Sequence, residues 1–130
     1  MTFASRIALI SLFATTATPV IAMAAPPTPQ SQFMDNCSAC HQATGKGIKG
    51  AFPALAGSPL VQGDGAIVAT TVLNGRAGMP AFKDDLSDAE LSAILTYGRT
   101  SWGNKGKPVT AADVAKARKA PPKARGLQAH

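Results

Sequence analysis

Cys37-Ser38-Ala39-Cys40-His41 is the stretch from which the rest of the chain is read. Residues three apart on a helical turn face the same way, so Cys37 and Cys40 present two thiols to one side. His41 follows directly and offers an imidazole nitrogen. A C-x-x-C-H run is the attachment sequence of c-type haem: the thiols add to the two vinyl groups along one porphyrin edge, and the histidine is carried under the ring as an iron ligand. Other chemistries use a C-x-x-C pair too, namely a redox-active dithiol, a structural disulfide and half of a zinc site. Zinc would want two more ligands, and the chain holds one other histidine, His130, and no third cysteine. A thioredoxin-like dithiol follows a strand in a βαβ unit, whereas no strand-like alternation precedes Cys37. Haem attachment is the expectation carried forward.

Working outward, residues 1–24 read as an export signal. Arg6 is the lone charge, Ile7 to Ala14 supply the apolar run, and Ala22-Met23-Ala24 is an A-x-A-type cleavage site, which puts the mature start near Ala25. An uncleaved membrane anchor is the alternative, since Ile7 to Ala25 carries no charge and is about long enough to span a bilayer. Thr15, Thr16, Thr18 and Pro19 dilute that run and favour cleavage. At 130 residues the precursor is one domain. Without the signal its core is marginal by itself, and a covalently held apolar group would supply the missing filling.

The residues after the signal call for helices and loops. Ala25 to Pro29 is a Pro-rich lead-in, and Thr28-Pro29 reads as a helix cap with proline at the first helical position, leading into the C-x-x-C-H turn. Phe33 shares a face with Cys37, and Met34 falls on the proximal side, a poor place for a distal ligand. From Gln42 to Pro59 the glycines and prolines spell loop, with Phe52 and Leu55 as apolar anchors against the haem edge or His41. Pro53 either offers a carbonyl to the His41 Nδ1–H or is an ordinary rigid turn; both readings stay open.

Asp64 is expected to cap a helix over 65–73 with Ile67, Val68, Thr71 and Val72 on its less polar side, ended by Asn74-Gly75. Ser87-Asp88-Ala89-Glu90 is a capping box, with Leu86 and Leu91 as its hydrophobic staple. Leu91, Ile94, Leu95 and Gly98 then line one face, the glycine leaving room for another helix. A last helix runs from Thr110 as cap through Arg118, before Pro121-Pro122. The fold class is all-α: short helices and Gly/Pro-rich loops around a prosthetic group.

Between the second and third of these helices stands Gly75-Arg76-Ala77-Gly78-Met79-Pro80-Ala81-Phe82. A lone methionine is usually core filler. Here it lies in a loop, Gly78 permits close backbone approach, and Pro80 stiffens the chain beyond the sulfur. With Met1 and Met23 removed in the signal and Met34 too near Cys37, Met79 is the remaining thioether for a sixth iron position.

From about Phe33 to Asn104 the sequence resembles a class I monohaem cytochrome c. The likeness rests on Cys37-Ser38-Ala39-Cys40-His41, Phe52-Pro53-Ala54-Leu55-Ala56-Gly57, Gly78-Met79-Pro80 and Tyr97-Gly98-Arg99-Thr100-Ser101-Trp102-Gly103-Asn104. The last string is similar to the cytochrome modules that accompany periplasmic alcohol and sugar dehydrogenases and those fused to some terminal oxidases. The resemblance implies a cytochrome c fold around one haem c bound through Cys37 and Cys40, with His41 and Met79 as axial ligands. It implies periplasmic one-electron transfer between a dehydrogenase and a terminal oxidase or another cytochrome, without catalysis by this chain. Trp102 and Arg76 are candidate donors to the haem propionates, against the plainer readings of a core tryptophan and a solvated arginine. The alternatives are a five-coordinate haem enzyme or gas-binding protein, and a haem-free dithiol redox protein.

Charge divides the chain. From Ala25 to Gly103 five basic residues face six acidic ones, whereas from Asn104 to His130 seven basic residues face Asp113 alone. The expected domains are therefore a cytochrome module over 25–104 and a basic, partly helical extension over 105–130. A nucleic-acid reading is set aside, because no aromatic residue follows Trp102 and the chain reads as exported. The extension is either a solvated tail or a steering arm for an acidic partner or membrane surface. On the steering-arm reading, removing residues 111–130 is expected to leave the spectrum and potential nearly unchanged while slowing electron transfer at low salt.

Overall fold

Side-chain caps start five of the six helices in the computed structural model, which describes residues 25–120. The expected signal over 1–24 and the segment from Pro121 to His130 lie outside the described residues. Thr28 accepts the Ser31 N–H at 3.1 Å, and Pro29 opens α1 (Pro29–Asn36). Cys37 interrupts the helix with φ −124°, yet its N–H still bonds the Phe33 carbonyl at 2.9 Å, so α1 passes through one residue into α2 (Ser38–His41). Ser58 and Pro59 repeat the Thr28-Pro29 pattern and start α3 (Pro59–Gln62), a short helix at the end of what the sequence reads as loop. Asp64 caps α4 (Gly65–Asn74) through the Ala66 N–H at 2.8 Å, and Gly75 ends it at φ 72°. Capping boxes open both α5 (Asp88–Thr100), between Ser87 and Glu90, and α6 (Ala111–Lys119), between Thr110 and Asp113. Among the described residues no β-strand forms, only the isolated bridges Ile48 to Phe52 and Arg76 to Met79, and the fold is all-α as expected. No described helix is long and apolar enough to cross a membrane.

One cluster holds α4, α5 and α6 together: Val68, Ala69, Leu73, Leu91, Leu95, Val109, Val114 and Ala117. The buried face of α4 is rotated one residue from the expected one. Val68, Ala69 and Leu73 point inward, while Ile67 is 50 % exposed. That face packs closely from the start of α4, where a Cβ on Gly65 would lie 2.9 Å from the side chain of Val109, a member of the same cluster. On α5 the stripe Leu91, Ile94, Leu95, Gly98 is buried as expected. Gly98 is not there for a close helix approach, however: a Cβ would meet only the Trp102 ring, at 4.0 Å.

A second contact, between α1 and α5, is aromatic. Phe33, 1 % exposed, sits 5.4 Å from Tyr97 and 5.1 Å from Trp102, and the latter two rings meet edge-on at 5.5 Å. Each such pair adds about 0.5–1.5 kcal/mol to what burial alone provides.

The helix expected in the basic segment is present, and it packs into the core. Val114 is 0 % exposed, a burial worth about 1.5–3 kcal/mol for such a side chain. Arg118 reaches back across the fold, its Nε 2.8 Å from Asp88 Oδ1 and its Nη atoms donating to the carbonyls of Leu86, at 2.9 Å, and Lys83. These contacts bear on the expectation that removing residues 111–130 leaves the spectrum and potential nearly unchanged, because the deletion also takes away part of the core.

Candidate functional site

α2 brings Cys37, Cys40 and His41 together on one turn, closed by the His41 N–H to the Cys37 carbonyl at 2.9 Å. His41 is buried, and its Nδ1 lies 2.9 Å from the Pro53 carbonyl oxygen. A carbonyl only accepts, so Nδ1 carries the proton and Nε2 keeps the lone pair that a metal would take. Of the two readings open for Pro53, the structure shows the carbonyl acceptor.

The approach of Pro53 to His41 depends on Gly47, at φ 63°. A Cβ there would run into the Phe52 carbonyl oxygen and lie 2.6 Å from that of Pro53. The Gly47 N–H bonds the His41 carbonyl at 3.0 Å, and Leu55 and Ala56 both donate to Gly45 O, at 2.7 and 2.9 Å. Both cysteines are free and half-buried. Burial, with Cys40 beside it, pushes the Cys37 thiol up to about 11. That is opposite to the lowered value that makes a dithiol reactive in exchange.

Met79 stands apart from this turn, half-buried on its own loop between α4 and α5. Reciprocal bonds fold the loop tightly: Arg76 N–H to Met79 O at 3.2 Å and Met79 N–H to Arg76 O at 2.9 Å. The Phe82 N–H ties its far end to Val72 O at 3.1 Å. Gly75, not Gly78, is the glycine that this loop requires. A Cβ at 75 would lie 2.6 Å from Met79 O, whereas one at 78 would meet nothing within 4 Å.

These residues fit a haem. Two thiols and an imidazole with Nε2 free share one turn, and Ile48 and Phe52, paired beside Pro53, leave large apolar side chains 42 % and 37 % exposed, surface suited to an apolar macrocycle. Of the candidate propionate donors, Trp102 is corrected: its indole N–H is committed to the Ala43 carbonyl at 3.1 Å. Arg76 has no side-chain hydrogen bond among the described residues.

Two buried polar residues escaped the sequence reading. Arg99, 2 % exposed, donates from Nε to Lys107 O at 2.7 Å, from Nη1 to Val61 O at 2.6 Å and from Nη2 to Gly63 O at 2.9 Å. Its signal was available, since Arg99 lies four residues beyond Leu95 on the buried stripe of α5. Asn104, 5 % exposed, donates from Nδ2 to Leu55 O at 3.0 Å and to Gly98 O at 2.8 Å, and its Oδ1 accepts the Gly57 N–H at 2.8 Å. No periodicity marks it, for it follows Gly103 in irregular chain.

A helical fold around a C-x-x-C-H turn with a preset histidine tautomer defines a c-type cytochrome, an electron-transfer protein that carries covalently bound haem. The family model described as cytochrome c oxidase, cbb3-type, subunit III matches residues 24–97, and the chain belongs to this cytochrome c family. It is 33 % identical over 99 residues to the cytochrome c subunit of alcohol dehydrogenase (quinone) from Gluconobacter oxydans, covering 66 % of this chain. The match spans 21 % of that subunit, so the chain corresponds to about a fifth of its length. Cytochrome c-552 of Thermus thermophilus is 35 % identical over 102 residues, covering 63 % of this chain and 78 % of the relative. Among solved structures, a cytochrome c6 from the diatom Phaeodactylum tricornutum is similar with a TM-score of 0.45 and 24 % identity, covering 68 % of this chain and 93 % of that one.

Proposed function

We propose that the chain is a one-electron carrier with one haem c, bound through thioethers from Cys37 and Cys40 and ligated by His41 and Met79. The observation that carries this reading is the His41–Pro53 hydrogen bond beside two free thiols, which leaves Nε2 as the available ligand. When bound, the haem supplies the redox chemistry, its iron alternating between ferric and ferrous. The chain's own residues do the rest. Cys37 and Cys40 hold the porphyrin edge, and Pro53 fixes the orientation of the His41 ring. Gly75 and the 76–79 turn present the Met79 thioether, which closes the sixth position to small molecules.

The chain works in the periplasm, residues 1–24 having been removed, and passes electrons from a dehydrogenase to a terminal oxidase or another cytochrome. Relatives named as subunits of alcohol dehydrogenase, of gluconate 2-dehydrogenase and of a cbb3-type oxidase support those partner classes. Lys105, Lys107, Lys116 and Lys119 are exposed and free to steer an acidic partner or to contact an acidic membrane surface, whereas Arg118 is committed to Asp88. Deleting only residues 121–130 tests the last part of the basic segment while keeping α6, with Val114 and Ala117, in the chain.

A reduced-minus-oxidised visible spectrum, with haem retained through denaturing electrophoresis, tests attachment. Cys37→Ala or Cys40→Ala should sharply lower covalent haem, and His41→Ala should abolish a stable holoprotein. Met79→Ala should keep the haem, lower the potential and admit cyanide or carbon monoxide. An unchanged Met79→Ala spectrum together with an altered His130→Ala spectrum would assign the sixth position to His130 instead.

A further inference from the structure

We infer that Asn104 is a positioning residue for the proximal ligand, holding the loop whose Pro53 carbonyl fixes His41. The inference rests on the proposed ligation by His41. It begins with a side chain in which every polar atom is used: Nδ2 donates to Leu55 O and Gly98 O, and Oδ1 accepts the Gly57 N–H. Leu55 and Gly57 lie two and four residues beyond Pro53. Gly98 is in α5, the helix that packs on the Phe33 face of α1, just before the C-x-x-C-H turn. Asn104 thus ties the loop after Pro53 to the helix that backs the haem-attachment segment.

The tie is not duplicated from the solvent side. Ala51 to Ala54 are exposed; before Pro53 the loop is closed by the reciprocal Ile48–Phe52 hydrogen bonds, at 2.9 and 2.8 Å, and beyond it the N–H groups of Leu55 and Ala56 bond Gly45 O. Gly45 in turn is pressed against Trp102, where a Cβ would lie 2.5 Å from the ring, and Trp102 Nε1–H bonds Ala43 O. The Trp102-Gly103-Asn104 ending therefore grips both sides of the His41 to Pro53 bond: Trp102 holds the chain after His41, and Asn104 holds the chain after Pro53. Gly103, at φ 83°, makes the turn between the two grips.

The consequence is electronic as well as structural. A histidine whose Nδ1–H is firmly bonded to a carbonyl is the stronger electron donor to a metal at Nε2 and favours the ferric state. Loosening the carbonyl should weaken that bond and raise the reduction potential. Asn104→Asp keeps the shape and the Oδ1 acceptor for Gly57 but loses both donated bonds. Asn104→Ser leaves a small polar group if the aspartate does not fold. Val114→Ala, in the α6 core, is the control, because it lowers stability without touching the loop.

In the reduced, haem-loaded protein, the His41 Nδ1–H resonance should exchange with solvent at least about tenfold faster in the Asn104 variants, measured relative to the Leu95 amide. Their midpoint potential should rise. Val114→Ala should lower the melting temperature with neither change. The inference is overturned if Asn104→Asp or Asn104→Ser binds haem and shows Nδ1–H exchange and a potential no different from Val114→Ala. Wild-type protein whose haem lacks a histidine ligand would overturn the functional reading instead, a separate result visible in the unsubstituted spectrum.

Discussion

Replacing Arg99 by leucine removes the donor from three carbonyl groups, those of Val61, Gly63 and Lys107. Hydrogen bonds to a charged group each contribute about 1.5–3 kcal/mol, but the guanidinium is 2 % exposed and has no carboxylate partner among the described residues. Its desolvation therefore cancels part of that gain. The bonds to Gly63 and Lys107 are only partly buried, so water takes over as donor there once the arginine is gone. The bond to Val61 O is buried, and an orphaned acceptor at that site costs about 1–3 kcal/mol. With the loosened anchor of residues 105–109 added, the net loss should be about 2–4 kcal/mol. Guanidinium unfolding of the haem-loaded protein should show a lower midpoint at unchanged slope, together with a fall in melting temperature of roughly 10–25 °C. Arg99→Lys should recover only part, because one ammonium on a flexible stem does not span three acceptors. A loss below about 1 kcal/mol for the leucine variant would refute the view that the last turn of α3 is held from α5.

Gly45→Ala should cost about 2–4 kcal/mol, since its Cβ meets Trp102 at 2.5 Å from a backbone at φ 65°; a near-wild-type melting curve and tryptophan near-UV signal would contradict this. Ser87→Ala should cost about 1 kcal/mol at neutral pH. The Ser87 hydrogen bonds hold the Glu90 carboxyl below its usual 4.5, so the box stabilises above that value and its contribution fades as pH falls through the lowered one. The wild-type advantage over Ser87→Ala should shrink on acidification, which paired melts across pH would reveal. Ending the chain after Thr110 should abolish cooperative unfolding, whereas ending it after Ala120 should leave spectrum and melting curve unchanged; equal behaviour of the two would remove α6 from the core. Changing Lys105, Lys107, Lys116 and Lys119 to glutamine should slow electron transfer to an acidic partner at low salt and leave the high-salt rate alone, as stopped-flow rates across ionic strength would show.

What was legible in the sequence was whatever local chemistry determines. Thr28-Pro29, Asp64, the Ser87–Glu90 box and Thr110 each announce a helix start because the capping group and the N–H it satisfies are within three residues of one another. The C-x-x-C-H turn is local in the same sense. Ser58-Pro59 carries the same signal as Thr28-Pro29 and was masked by the glycines and prolines around it. The buried face of α4, by contrast, packs on Val109, Val114 and Ala117, far along the chain. The commitment of Trp102 to Ala43 and the reach of Arg118 to Asp88 are likewise tertiary. No periodicity in α6 announces that a helix rich in lysine closes the core, because its apolar contribution is only Val114 and Ala117.

That closing role bears on the order in which the protein is made. A chain emerges amino-terminus first, at roughly 5–20 residues per second, and elements fold as their partners arrive. The thiols of α2 are delivered early, while Val109, Val114, Ala117 and the Arg118 clamp come last among the described elements. Until α6 arrives, Leu73, Leu91 and Leu95 have no cover from that side. The seal is thus placed at the far end of the described residues from the Cys37–His41 turn, so the face of α4 and α5 that it covers is the last to be closed.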